Sequence, residues 1–135
     1  MKTKKLTYSR AKKEAWKAFS LYIRTRDSED GEQAECFTCE FFFPIKQLQA
    51  GHFLPGRKNA TLFEPHNCHA QCMQCNVFLK GNLIEYYPRM VEKYGLDEIT
   101  RLKELDSQTK KYKVYELVEI KERCTQLYED LRSKE

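Results

Sequence analysis

Residues 36–76 read CFTCEFFFPIKQLQAGHFLPGRKNATLFEPHNCHAQCMQCN, running from one C-x-x-C pair to another. Cys36 and Cys39 form the first pair, Cys72 and Cys75 the second, and 32 residues separate them. A two-residue spacing lets both sulfurs of a pair point at one ion while adjacent backbone amides steady their charge. Four thiolates hold Zn²⁺ tetrahedrally at roughly 2.3 Å and leave no open coordination position, so the expected zinc is structural. Two unconnected pairs of buried or redox cysteines are the competing reading. Cys68 has no C-x-x-C partner and Cys124 falls on the apolar stripe of a helix, so both are expected as small buried hydrophobes.

Outward from that stretch, composition sets bounds. A chain of 135 residues, one third charged and 41% hydrophobic, has the size and balance of one soluble domain spanning 1–135. No apolar run approaches the roughly 20 residues of a membrane span, and the N-terminus lacks the apolar stretch of a signal peptide. The expectation is a cytoplasmic protein with no membrane partner, in the host cytoplasm if phage-encoded. In a reducing compartment disulfides are rare, which agrees with reading the paired cysteines as metal ligands.

The net charge of +4 conceals an asymmetry: residues 1–26 carry nine Lys or Arg against Glu14 alone. Residues 27–50 are acidic, with six Asp or Glu against Lys46. A basic N-terminal segment can track phosphates with salt-dependent affinity, and a solvated helix face is the plainer alternative.

Ala11, Ala15, Phe19, Tyr22 and Ile23, with Trp16 beside them, recur at helical spacing from about residue 9 to 26, with Ser9 as N-cap. Residues 34–55 predict two short strands around a turn, 56–65 a connecting loop, and the run after Cys75 a helix. From Leu83 onward the pattern is helical, with Pro88 breaking or kinking one segment and Gly95 ending it. A further helix over Leu96 to about Leu105 precedes a last one carrying Val114, Leu117, Val118, Cys124, Leu127, Tyr128 and Leu131 as a stripe. Thus 34–82 is expected to form a metal-stapled core between an N-terminal helix and the C-terminal helices of 83–135.

All three histidines, His52, His66 and His69, lie between the cysteine pairs, near Asn67 and Asn76. A lone histidine is usually structural; three beside two carboxamides in a metal-closed loop point to a site. Arg57 and Lys58 follow in a Gly-containing loop and Lys80 lies beyond Asn76, as candidate DNA phosphate contacts or ordinary surface charges. Tyr86 and Tyr87 suit base stacking or packing against helices.

The order C36-F-T-C39, A50-G-H-F-L-P55, N67-C-H-A-Q-C72-M-Q-C75-N76 resembles the HNH, or His-Me finger, nucleases. From AGHFLPGRKNATLFEPHNCHAQCMQCNVFLKGN through EYYPRMVEKYG, with WKAFSLYIRTRD upstream, it is similar to the phage NinG (Rap) recombination family. The resemblance covers roughly residues 10–95. It implies an α+β fold with a small ββα-metal (His-Me finger) core and a zinc-binding pair of cysteine knuckles, flanked by N-terminal and C-terminal helices. It implies a DNA endonuclease cutting branched recombination intermediates, with His52 as general base, Asn67 orienting its imidazole, and Asn76 binding catalytic Mg²⁺ or Mn²⁺. Many HNH nucleases carry an Asp or His metal ligand immediately before the base, where this chain has Gly51; His69 is the preferred replacement, with His66 and Glu64 as rivals. The alternatives are a non-catalytic zinc-ribbon DNA-binding module and a helical interaction adaptor. A homodimer through the last helix would suit a symmetric junction, although that stripe equally suits covering the chain's own core.

Overall fold

The computed structural model describes residues 5–134. In chain order the elements are α1 (Tyr8–Arg26), β1 (Gln33–Glu35), β2 (Phe42–Pro44), β3 (Leu48–His52), α2 (Asn59–Leu62), β4 (Cys68–Cys72), α3 (Leu83–Tyr94), α4 (Leu96–Asp106) and α5 (Val114–Arg132). Short 3₁₀ turns occupy Ile45–Gln47 and Pro65–Asn67, and a π-helical turn spans Gln74–Phe78. The fold is therefore mixed α+β with two small two-stranded sheets.

α1 begins slightly earlier than its sequence pattern suggests, because Thr7 rather than Ser9 caps it by accepting from the Arg10 amide. Ala11, Ala15, Phe19 and Ile23, four residues apart, are buried together with Leu117 and Cys124 of α5. The stripe on α5 thus covers the chain's own N-terminal helix. Complete burial of side chains such as Phe19 and Leu117 stabilises the fold by about 1.5–3 kcal/mol each.

The predicted pair of strands over 34–55 is instead three strands in two sheets. β1 and β2 pair antiparallel, Ala34 opposite Phe43, and the first cysteine knuckle forms the turn between them. Pro44 and the turn after it redirect the chain, so β3 pairs with β4 across a 15-residue connection, not with β2. The register places Leu48 opposite Cys72, Gln49 opposite Gln71, Gly51 opposite His69 and His52 opposite Cys68. Alternation then turns Ala50 and Cys68 toward α1 and Gln49, Gly51, His69 and Gln71 to the other face.

Two residues at the end of α1 tie the helix to β4. Arg26 donates from Nη1 to the Pro65 carbonyl at 2.9 Å and from Nη2 to the Cys68 carbonyl at 2.8 Å. Asp27 accepts from Arg26 Nε and from the Ala70 amide, both at 2.8 Å. Arg24 reaches the Ile45 carbonyl and Lys12 the Asn59 side chain, so part of the basic segment anchors loops. Lys2 and Lys4 lie outside the described residues.

Pro88 does not end α3, which continues to Tyr94. The bond that proline cannot donate would go to the Ile84 carbonyl, on a turn where Ile84 is 87% exposed and water can replace it. Gly95, with φ +87°, separates α3 from α4, and Tyr86, Met90, Ile99 and Leu102 of the two helices bury Phe53. Among the described residues no helix is long and apolar enough to cross a membrane.

Candidate metal centre and catalytic cleft

The sulfur atoms of Cys36, Cys39, Cys72 and Cys75 all lie within 4.8 Å of one another, although the first pair sits in the turn between β1 and β2 and the second at the end of β4 and on the turn after it. This spacing fits four thiolates around one tetrahedral ion. Protein donors already face the sulfurs: the Cys72 amide donates to Cys36 Sγ at 3.3 Å, the Cys75 amide to Cys72 Sγ at 3.5 Å, and Asn82 Nδ2 to Cys75 Sγ at 3.6 Å. Burial acts to raise the Cys36 thiol, but the Thr38 hydroxyl and neighbouring backbone amides outweigh it and lower its pKa. Burial raises the thiols of Cys39 and Cys72. A bound cation would favour the thiolate at all four positions, and the donor set is consistent with zinc. Cys68 and Cys124 stand in the helix-side core away from the cluster.

His52 ends β3, half-buried, its ring stacked on Trp16 at a centroid distance of 5.1 Å. Its Nε2 lies 3.1 Å from the Leu62 carbonyl, which can only accept, so Nε2 carries the ring proton. The Nδ1 lone pair has no protein partner among the described residues. Burial, followed by the weaker influence of Arg57, lowers the His52 pKa against the opposing pull of the Leu62 carbonyl. The imidazole is therefore neutral near pH 7.

Asn67 is buried but does not orient that ring. Its Oδ1 accepts from the Leu54 amide at 2.9 Å, and its carbonyl accepts from the Phe53 amide at 2.8 Å, so it clamps the chain just after His52. Asn76 lies on the π-helical turn behind β4 and donates to Gln49 Oε1 at 2.6 Å. A cleft of about 280 Å³ is lined by Trp16, Arg24, Gln49, Arg57 and Asn76; His52 is not part of its lining but stacks on Trp16, which is. A larger cavity, about 710 Å³, is walled by residues including Arg26, Glu40, His66, Arg89 and Lys93 and includes neither His52 nor Asn76.

His69 does not join Asn76. Tyr86 donates its hydroxyl proton to the Gly51 carbonyl at 2.7 Å, so its oxygen accepts from His69 Nδ1 at 3.1 Å. His69 Nε2 then accepts from the Tyr94 hydroxyl at 2.7 Å, and both ring nitrogens are spent. Burial, reinforced by Arg26, Lys93 and His66, lowers the His69 pKa to about 2. The rivals for its role also lie elsewhere: His66 pairs with Glu98, and Glu64 accepts from Arg101 at 3.1 Å. Tyr86, wholly buried, packs rather than stacking on bases, whereas Tyr87 is exposed. Of the candidate phosphate contacts, Arg57 lies over the Trp16 ring at 4.4 Å, Lys80 is exposed, and Lys58 sits 3.3 Å from the Asp106 carboxylate.

The family model described as Bacteriophage Lambda NinG protein matches residues 1–135. The chain belongs to the NinG family. It is 30% identical over 121 residues to Protein ninG of Salmonella phage P22, covering 89% of this chain and 57% of that protein. Against Protein ninG of Escherichia phage lambda the identity is 28% over 122 residues, 90% of this chain and 57% of the relative. The corresponding protein of Escherichia phage 933W is 29% identical over 122 residues, again 90% of this chain, and 58% of the relative. The chain thus spans under two thirds of the length of these curated NinG relatives. No solved structure matches it.

Three groups around His52 and Gly51 are missed by the sequence reading. Trp16 reads as one more apolar residue on α1, and the Leu62 acceptor is a backbone group with no residue signature. Gln71 sits in the β4 run CHAQC, every residue of which is buried. A glutamine facing inward in such a strand is a legible signal, because a buried carboxamide must find partners.

Proposed function

We propose that this NinG-family chain is a metal-dependent DNA endonuclease of the HNH type, with His52 as general base and a structural zinc on the four cysteines. The state of His52 carries the reading. Its proton is committed to Leu62 through Nε2, its Nδ1 lone pair lacks a protein donor, and burial keeps the ring neutral. Phosphodiester hydrolysis requires such a base to take a proton from the attacking water. Lowering the pKa ensures that the base form is present at pH 7, at some cost in basicity.

The order β3, connecting loop, β4, helical turn supports a ββα-metal reading, in which a zinc on the four cysteines would hold the turn against the hairpin. Asn76 Oδ1 lacks a protein donor among the described residues, since Asn76 engages Gln49 through Nδ2. That free oxygen suits a hard divalent cation, Mg²⁺ or Mn²⁺, which would supply charge neutralisation at the phosphate. Arg57, beside His52 over Trp16, is placed to grip a phosphate in the same cleft. The choice of branched recombination intermediates as substrate rests on the family resemblance alone.

Purified protein incubated with four-way junction, flap and linear duplex DNA, in Mg²⁺, Mn²⁺ or EDTA, tests the reading. Cleavage is expected with metal only, leaving 5′-phosphate and 3′-hydroxyl ends. His52→Ala should slow it by about 100- to 10,000-fold with the fold intact. Binding without cleavage under every metal condition would make the chain a zinc-dependent DNA-binding module instead.

A further inference from the structure

We propose that Gln71 Oε1 and Asn76 Oδ1 together form the protein's share of a binding site for one hard divalent cation beside Gly51, whose lack of a side chain lets both oxygens approach the backbone there. The purpose of the site rests on the endonuclease reading; its geometry does not.

Gly51 is the starting observation. A Cβ built there would lie 1.7 Å from Gln71 Oε1 and 2.9 Å from Asn76 Oδ1. Gln71 Oε1 thus takes the place of a Cβ and Asn76 Oδ1 borders it, so two side-chain oxygens from different elements come together beside the Gly51 backbone. Its φ does not require glycine; the occupied space does.

The orientation of both carboxamides is set by their nitrogens. Gln71 Nε2 donates to the Gly81 carbonyl at 3.0 Å and to the Thr38 hydroxyl at 3.1 Å. Gly81 can only accept, so the amide cannot be flipped without losing that bond. Asn76 Nδ2 is likewise held by Gln49. Both oxygens are thereby turned toward the same place.

Gln71 is completely buried, and its Oε1 has no hydrogen-bond partner. An unsatisfied buried acceptor is unfavourable, and a second acceptor aimed at the same point adds repulsion. A cation removes both penalties. Two neutral carbonyl-type oxygens, with neither sulfur nor imidazole among them, select Mg²⁺ or Mn²⁺ over zinc. Asn76 and Gln49 line the cleft shared with Arg57, so an ion here would meet a phosphate entering it.

Titrating the zinc-loaded protein with MnCl₂, with free Mn²⁺ followed by its paramagnetic resonance signal, should show one bound Mn²⁺ per chain. Gln71→Leu and Asn76→Ala should each weaken that binding by at least about tenfold, with zinc content and cooperative melting retained. Gly51→Ala, whose methyl displaces Oε1, should do the same, and it carries the test if loss of the Thr38 and Gly81 bonds unfolds Gln71→Leu. The double variant Gly51→Asp with Gln71→Ala should restore binding by placing a carboxylate in the vacated space. Absence of Mn²⁺ binding to the wild type at millimolar metal, or unchanged affinity in Gln71→Leu and Gly51→Ala, overturns the proposal. The binding readout is independent of cleavage: Mn²⁺ held through Gln71 without DNA hydrolysis would sink only the endonuclease, and hydrolysis with Gln71-independent Mn²⁺ affinity only the site.

Discussion

The His52 imidazole lies against the Trp16 indole, ring centroids 5.1 Å apart and planes inclined by 26°. The N-terminal helix therefore forms one wall of the candidate base's environment, and the Leu62 carbonyl holds its Nε2. Removing the indole should act on both stability and titration. Trp16 is half-buried, so Trp16→Ala is expected to cost about 2 kcal/mol, below the range for a fully buried tryptophan. With less burial, the His52 pKa should rise toward the ordinary value of about 6.5. Chemical denaturation and an NMR titration of the ring measure the two effects; an unmoved His52 pKa would show that the stack does not desolvate it.

The cysteines should sort by position rather than by number. Cys72→Ala is expected to abolish stoichiometric zinc and lower the melting temperature by at least about 10 °C, as loss of a structural metal site does. Cys68→Ala should keep one zinc per chain, because its sulfur is packed in the helix-side core. Metal analysis beside thermal melting reads both, and equal zinc loss in the two variants would refute the assigned ligand set.

His69 predicts an acid weakness. Its pKa is about 2 in the fold and about 6.5 in an unfolded chain, so the unfolded state takes up a proton that the folded state refuses. The preference for the fold is complete above pH about 6.5 and is lost progressively as pH falls toward about 2. Stability should drop by up to about 1.4 kcal/mol per pH unit below 6.5 from this group. Urea unfolding between pH 7 and 5, a window chosen to limit acid release of zinc, should show a shallower slope for His69→Gln than for wild type. Parallel slopes would mean that the two tyrosine contacts tolerate a charged ring.

Three cations are candidate phosphate contacts, and their surroundings divide them. Arg57→Ala and Lys80→Ala should each reduce the salt slope of DNA binding by about 1. Lys58→Ala should change it less, since its ammonium is already 3.3 Å from Asp106. Fluorescence anisotropy at several salt concentrations measures the slopes; a dominant effect of Lys58 would mean that the Asp106 pair opens on binding.

Local patterns carry far in this chain. The two C-x-x-C spacings name all four sulfurs that gather within 4.8 Å, and the spans of α1, α4 and α5 follow from helical periodicity to within a residue or two. The same periodicity leaves open what the α5 stripe covers, because a helix face shows that it is apolar but not what it meets. Pro88 does not end its helix, for a related reason. Its missing donor matters only where the orphaned carbonyl is shut away from water, and Ile84 is exposed.

The candidate site is less legible because its contacts cross long stretches of chain. Asn67 stands where the HNH pattern would have it orient His52, yet its oxygen is taken by Leu54 and the ring is held by Leu62. His69 has the residue type of a ligand, but two tyrosine hydroxyls from α3 claim both nitrogens.

Sequence alone determined the donors that can share a metal, the helices that bury an apolar stripe, and the short interval in which the histidines and carboxamides fall. These depend on covalent spacing and on preferences that act over a few residues. Only the tertiary structure decided that β3 pairs with β4, that Trp16 supports His52, and that the place beside Gly51 belongs to Gln71 and Asn76. Each of those outcomes is settled by which side chains and backbone groups meet once distant segments are packed, and no local pattern encodes that competition.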